Sequence, residues 1–223
     1  MRPLFLAVYA EGRTDERFLP VLVQRTAERL LTRRGVEPVD VFEPVIVVDD
    51  LGGKLPTREE CIVEAAQRAA NYHALVVHAD ADDRARDAAI AERFEPGAAR
   101  VQEVAKQGVK VCGQLLPVIP VRMVEAWMIA DPDALDATIG PGFSTPLRAR
   151  AEPPRLVEAV SDPKTMLEAR LREFRGRRRP LPLGEIYEPL ARRVALERLE
   201  RVPAYQQFVS DLTEVLIALR MAE

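Results

Sequence analysis

Residues 4–31, LFLAVYAEGRTDERFLPVLVQRTAERLL, decide the architecture of the chain. Residues 4–10 form an unbroken apolar run, as expected of a strand buried on both faces, and the run stops at Glu11-Gly12. Thr14 stands where it can cap a helix, and Asp15 and Glu16 fall in a first turn, where the helix dipole favours negative charge. Phe18, Leu19, Leu22, Val23, Ala27, Leu30 and Leu31 then keep helical spacing to about residue 34. A strand, an acidic loop and a helix follow one another within thirty-odd residues.

The same rhythm continues to about residue 135. Residues 41–48 read as a second strand ending at Asp49-Asp50, after which Gly52-Gly53 breaks the chain. Residues 58–71 read as a helix, and residues 74–77 as a third strand that runs into His78-Ala79-Asp80. Pro96-Gly97 reads as a break before a helix over 98–107. Residues 115–121 read as a fourth strand whose Pro117 and Pro120 suggest an edge position or an irregular end, and Glu125 opens another helix. Strands separated by helices of this length predict an α/β fold with a mostly parallel four-stranded sheet and helices on both faces. Residues 141–154, rich in Pro, Gly and Arg, read as a linker. Beyond it only helical patterns occur, over 166–174, 186–199 (with room for a break) and 205–219. The division expected is an α/β domain over 1–140 and an all-helical C-terminal extension over 141–223, packed on it.

Composition narrows the class. At 48% apolar and 30% charged, the 223 residues suit an ordered globular protein. The seven-residue apolar opening is too short for a signal peptide's core, and no later run approaches the ~20 apolar residues that span a bilayer. Cys61 and Cys112 lack partners at metal-ligand spacing, which suits a reducing, cytoplasmic setting. With 32 basic and 35 acidic residues the net charge is -3, so the chain as a whole does not read as a nucleic-acid binder. Locally the picture differs, because six arginines fall within residues 170–179.

The acidic residues gather where strands end. Glu11 follows the first strand, Asp49 and Asp50 the second, Asp80, Asp82 and Asp83 the third, and Glu125 lies shortly after the fourth. In an open parallel sheet these ends share one rim, where functional residues collect. Carboxylates held together repel one another, and a hard cation such as Mg²⁺ or Mn²⁺ relieves that by taking oxygen ligands while keeping waters for phosphate to replace. Asp80 and Asp82, two apart in a turning segment, can face one ion. An isolated Asp-x-Asp is more often a solvated loop, and Asp49-Asp50 reads equally as a turn. His78 could serve as ligand or base, although a packed strand-end histidine is the commoner case. Lys54 could reach a phosphate from its glycine-rich loop.

These residues resemble a known family. Glu11-Gly12-Arg13-Thr14-Asp15-Glu16-Arg17-Phe18-Leu19 is similar to the E-G-x-T-E/D-x-x-F/L opening of Toprim domains, and more narrowly to Toprim-like prokaryotic proteins encoded near ATPases and in phage-defence loci. His78-Ala79-Asp80-Ala81-Asp82-Asp83 resembles the aspartate pair of that fold. Residues 119–131, IPVRMVEAWMIAD, resemble its third segment, in which Glu-x-Trp follows a strand, and Gly52-Gly53-Lys54 its glycine-rich loop. Residues 167–175 and 203–208 resemble the helical tail, except that Val202-Pro203-Ala204-Tyr205 departs from the Cys-Pro-x-Phe often found there.

The resemblance implies a Rossmann-like Toprim fold. It implies Glu11 as acid/base or metal ligand, Asp80 and Asp82 as the Mg²⁺-binding pair, and Glu125 as a further carboxylate assisting the site. The four tyrosines lack the surroundings of a topoisomerase nucleophile, and no zinc module marks a primase.

The expected function is therefore nuclease-type phosphodiester hydrolysis with Mg²⁺ or Mn²⁺ at Glu11, Asp80, Asp82 and Glu125. Arg177, Arg178 and Arg179 would contact nucleic-acid phosphates, the alternative for them being a solvated surface. Trp127 reads more readily as core than as a base-stacking residue. One rival is an adaptor or regulatory subunit of an ATPase with weak or no catalysis, and another is phosphoryl chemistry on a free nucleotide. The hydrolase reading requires that Glu11, Asp80 and Asp82 share an ion and are not locked into arginine salt bridges.

Overall fold

Parallel strands with both faces covered by helices make the scaffold of this computed structural model, which describes residues 1–48, 56–175 and 181–223. Strand β1 (Arg2–Leu4) leads into β2 (Leu6–Tyr9), α1 (Asp15–Arg34), β3 (Val39–Val41), β4 (Val45–Ile46) and α2 (Arg58–Arg68). Then follow β5 (Ala74–His78), α3 (Arg86–Arg93), α4 (Glu95–Lys106), β6 (Leu115–Val118), α5 (Val124–Ile129) and α6 (Pro132–Ile139). Short α7 (Arg148–Ala151), α8 (Pro163–Arg175), α9 (Tyr187–Arg193), short α10 (Leu196–Leu199) and α11 (Pro203–Ala218) complete it. Among the described residues, β4, β2, β5 and β6 form one four-stranded sheet in that order, and β1 pairs with β3 in a second, two-stranded one.

All the ladders are parallel. Val8 faces Val76, and His78 faces Val118, so β2, β5 and β6 end at a common rim. The side-chain period of two sorts these strands between two cores. Leu6, Val8, Ala74, Val76, Leu116 and Val118 point into a large cluster shared with α1 and the C-terminal helices. Ala7, Tyr9, Leu75 and Val77 point the other way, towards α2 and α4. Burial on both sides explains why the strands read as continuous apolar runs.

Several expected elements change on folding. Residues 4–10 are not one strand: Phe5 separates β1 from β2, exchanging hydrogen bonds with His73 through its N–H to Nδ1 (3.0 Å) and its carbonyl to the His73 N–H (2.9 Å). Residues 41–48 are likewise not one strand: β3 ends at Val41 and β4 begins at Val45, with Pro44, which has no N–H for a ladder, between them. Pro96-Gly97 does not break the chain but lies in the first turn of α4, where proline is tolerated. Gly97 is needed there because a Cβ would sit 2.5 Å from Ile62 Cδ1 and 2.9 Å from Ile62 Cβ. Thr14 is itself helical in conformation and makes no side-chain cap; Gly12 O instead receives the Asp15 and Glu16 N–H groups. The expected linker over 141–154 is packed, with Phe143, Ser144, Leu147 and Ala151 buried.

The C-terminal helices complete the larger core. Trp127 is wholly buried and meets Tyr205 edge to face at 5.3 Å, and the Tyr205 hydroxyl lies 2.7 Å from Thr26 Oγ1 on α1. Arg170 is pinned over Phe143 and Phe174, donating to the carbonyls of Phe143 and Gly142. No helix among the described residues is long and apolar enough to cross a membrane.

Candidate carboxylate site at the sheet rim

Glu11, Asp15 and Asp80 meet around one histidine at the carboxyl ends of β2 and β5, and Glu125 is near enough to interact electrostatically with Asp15 and Asp80. His78 ends β5 and is fully buried. The Glu11 N–H donates to its Nδ1 (3.4 Å), which leaves the ring proton for Nε2. Nε2 lies 3.3 Å from Asp80 Oδ1, and both atoms are buried. Asp15 Oδ2 is 3.9 Å from Nδ1. Burial alone would lower the His78 pKa, yet Asp80, and then the charges of Asp15 and Glu11, raise it.

Asp15 opens α1 and is buried, and its pKa is pushed up to about 6. Desolvation is the main cause; His78 opposes it, and the negative charges of Asp80 and Glu125 add to it. Glu125 lies in the first turn of α5, also buried, and receives a hydrogen bond from the Tyr187 hydroxyl of α9. Its pKa is raised as well, chiefly by burial and further by Asp80, while the Tyr187 bond and Lys164 pull it down. Burial beside this carboxylate pushes the Tyr187 hydroxyl in turn well above the ordinary tyrosine range.

The outer part of the rim is crossed by arginines. Glu11 Oε2 accepts from the Asp80 N–H (3.2 Å) and lies 3.5 Å from Arg93 Nη1 and 3.8 Å from Arg58 Nη1. Arg93 also donates to the Asp80 carbonyl (2.7 Å) and to Asp82 Oδ2 (2.6 Å). Asp82 adopts a left-handed conformation (φ 52°) and pairs across an isolated bridge with Arg122 (φ 68°). Asp82 therefore faces Arg93 while Asp80 Oδ1 faces His78, and the two do not address one common point. Asp83 pairs with Arg122.

Glu11, Asp80 and Glu125 are thus gathered in one neighbourhood, with Asp82 at its outer edge. Asp49, Asp50, Lys54, Arg177, Arg178 and Arg179 lie outside the described residues. Sequence reasoning treated Asp15 only as a helix-dipole residue, because its burial comes from residues distant along the chain. It missed Arg58 and Arg93, which reach the rim from α2 and α3, and Lys164 of α8, whose charge acts on Asp15 and Glu125. No local pattern marks them. A groove of about 610 Å³ between α2 and α4 is lined by Thr57, Val63, Pro96, Arg100 and their neighbours, and contains none of these carboxylates.

The donor set suits a hard divalent cation by its chemistry alone, since every acidic group offers oxygen. Its present arrangement is looser. Among the described residues, no three His, Cys, Asp or Glu side chains are placed to hold one ion. The carboxylate side of the arginine pairs is open to solvent, Glu11 and Asp82 being 41% and 48% exposed, whereas Arg93 is 18% exposed. Ion pairs of that kind contribute about 0–1 kcal/mol and exchange readily.

No curated protein and no solved structure matches the chain. The chain belongs to the family described as a domain of unknown function, DUF4276, whose model matches residues 10–213.

Proposed function

We propose that this protein is a divalent-cation-dependent phosphodiester hydrolase of the Toprim kind, acting on nucleic acid with Mg²⁺ or Mn²⁺ in a phage-defence or mobile-element setting. The observation that carries the reading is the gathering of Glu11, Asp15 and Asp80 around buried His78 at the carboxyl rim of a parallel sheet, with the Glu125 charge acting on Asp15. Glu11, Asp80 and Asp82 would hold the ion, with Glu125 and Asp15 behind them. Bound there, a divalent ion supplies an activated water and neutralises charge developing on the phosphate.

The chain's own groups do the rest. The Tyr187 hydroxyl fixes Glu125, and the Glu11 N–H fixes the His78 ring. With a pKa near 6, Asp15 takes up and releases a proton close to neutrality, the range in which a general acid or base is most effective. Arg58, Arg93 and Lys164 supply the positive charge that lets a phosphate approach so acidic a rim.

The test is Asp80→Ala, assayed on plasmid DNA and on RNA with Mg²⁺ and Mn²⁺. Cleavage by the wild type that falls to background in the variant is the expected result; activity unaffected by the change removes the reading. One observation favours a second reading, a weakly catalytic or non-catalytic adaptor of an ATPase: Arg93 engages both Glu11 and Asp82. On that reading no metal supports cleavage by the wild type, and Asp80→Ala leaves function in cells intact.

A further inference from the structure

The outer edge of β3 is unpaired. In the parallel β1–β3 ladder the Arg2 N–H bonds to the Pro38 carbonyl and the Phe42 N–H to the Leu4 carbonyl, so Pro38, Asp40 and Phe42 turn their backbone groups towards β1. Val39 and Val41 turn theirs the other way, where no strand follows among the described residues. Gln24 Nε2 of α1 donates to the Val41 carbonyl (3.1 Å), which leaves the Val39 N–H, the Val39 carbonyl and the Val41 N–H facing outwards. Alongside this edge, between β3 and α1, runs a groove of about 240 Å³ lined by apolar Leu31, Val39 and Val41 and by polar Glu28, Thr32 and Glu37. Asp40 and Glu43 are exposed beside it, and Phe42, 48% exposed, rests against Phe5 with ring centroids 4.7 Å apart. Arg2 lies 3.7 Å from Glu37, whereas Glu28, Asp40 and Glu43 stand in no ion pair among the described residues.

We propose that the β3 edge is a docking site for an extended, basic segment of a partner protein. The segment adds to β3 as a further strand, its aliphatic side chains over the groove and its lysines or arginines against Glu28, Asp40 and Glu43. Unpaired main-chain groups at a sheet edge supply the affinity of such an addition, and the side chains on either face supply the choice of partner. Edge strands are commonly guarded by lysine or by a proline within them. Here β3 has neither, since Pro38 and Pro44 flank the two outward-facing valines without interrupting them. The charge decides the occupant. A second copy pairing through the same edge about a twofold axis would bring its own Asp40 and Glu43 against these, and like charges across an interface disfavour it. Since β1 precedes β2 in a parallel arrangement, the β1–β3 pair lies towards the amino ends of the strands, away from the carboxylate rim. The inference is independent of the hydrolase reading.

The experiment titrates a capped synthetic peptide of about six alternating Lys and Val residues into the full chain, followed by the amide NMR signal of Val39. Two further peptides serve as probes, one with Glu in place of Lys and one N-methylated along its backbone, which keeps the charge but cannot join a ladder. The variants are Val41→Pro, Glu28→Lys and Glu103→Lys. Val41→Pro removes an outward N–H that β1 does not use, a change that edge strands tolerate. Glu28→Lys reverses an exposed charge on α1 and leaves the strand untouched, so it still tests the site if the proline variant misfolds. Glu103→Lys makes the same change on α4, away from this edge.

The Lys-Val peptide is expected to shift the Val39 amide saturably in the wild type and in Glu103→Lys, and to bind Val41→Pro and Glu28→Lys about tenfold more weakly. The Glu-Val and N-methylated peptides should bind the wild type more weakly by at least as much. An N-methylated peptide that binds as well as its parent overturns the inference, because attraction of charge without strand pairing would then account for the binding. Equal affinity in Glu28→Lys and the wild type overturns it as well, as does a Val39 signal that no peptide moves. A wild type that elutes as a dimer, and as a monomer once Val41 is proline, gives the edge to a second copy and likewise overturns it.

Discussion

Burial takes the Asp15 carboxylate out of water at the first turn of α1, and the group titrates near 6 in place of 3.8. Between those values the folded chain keeps a proton that the unfolded chain has released. Its stabilising contribution is complete below about pH 4 and is lost as pH rises through about 6. A shift of this size corresponds to roughly 3 kcal/mol, the upper bound on what ionised Asp15 costs the fold at pH 7.5 without a cation. With chelator present, Asp15→Asn should therefore stabilise the protein at pH 7.5 and change little at pH 4. Urea denaturation at both pH values measures this, and equal effects would place Asp15 in an environment as wet as the unfolded chain's. The acidity of this rim was legible, because Glu11, Asp80 and Glu125 each follow a recognisable strand. The protonation of Asp15 was not, because it depends on His78, Asp80 and Glu125, which approach it only in the folded chain.

The packing of α2 against α4 shows how a local rule is overridden by a neighbour at the scale of elements. Pro96-Gly97 has the composition of a breaker, yet it opens α4, and Gly97 lets that helix come against Ile62 of α2. Gly97→Ala would gain about 1 kcal/mol of helix propensity and lose more to the clash, since Ile62 Cβ cannot swing aside as its Cδ1 can. The expected net effect is a destabilisation of about 1–2 kcal/mol, read from chemical denaturation. A stabilised variant would show that α4 can slide off α2 without cost. Similarly, the strand-like stretches over 4–10 and 41–48 announce strands but not their bounds, because a pairing partner such as β1 for β3 leaves no trace in either stretch.

Across the whole molecule, one buried cluster joins the sheet to the C-terminal helices. Leu6, Val8, Val76, Leu116 and Val118 share it with Leu190, Tyr205, Phe208 and Leu212. The C-terminal residues also bond to the end of α1, through the Val36 N–H to the Met221 carbonyl (3.2 Å) and the Glu223 N–H to the Arg34 carbonyl (3.1 Å). A fragment of residues 1–140 would expose this face of the sheet. It should aggregate or bind a hydrophobic dye without cooperative unfolding; a sharp thermal transition in the fragment would mean that the first 140 residues are a self-sufficient domain.

The sequence by itself determined the alternation of strand and helix, the apolar strands covered on both faces, and the carboxylates where β2 and β5 end, because those features are set by residues a few positions apart. Only the tertiary structure decided that Asp15 is buried, that Tyr187 from the far end of the chain holds Glu125, and that Arg93 stands between Glu11 and Asp82. Each of those depends on groups 11 to 110 residues apart meeting in space, and no period of two or 3.6 records such a meeting.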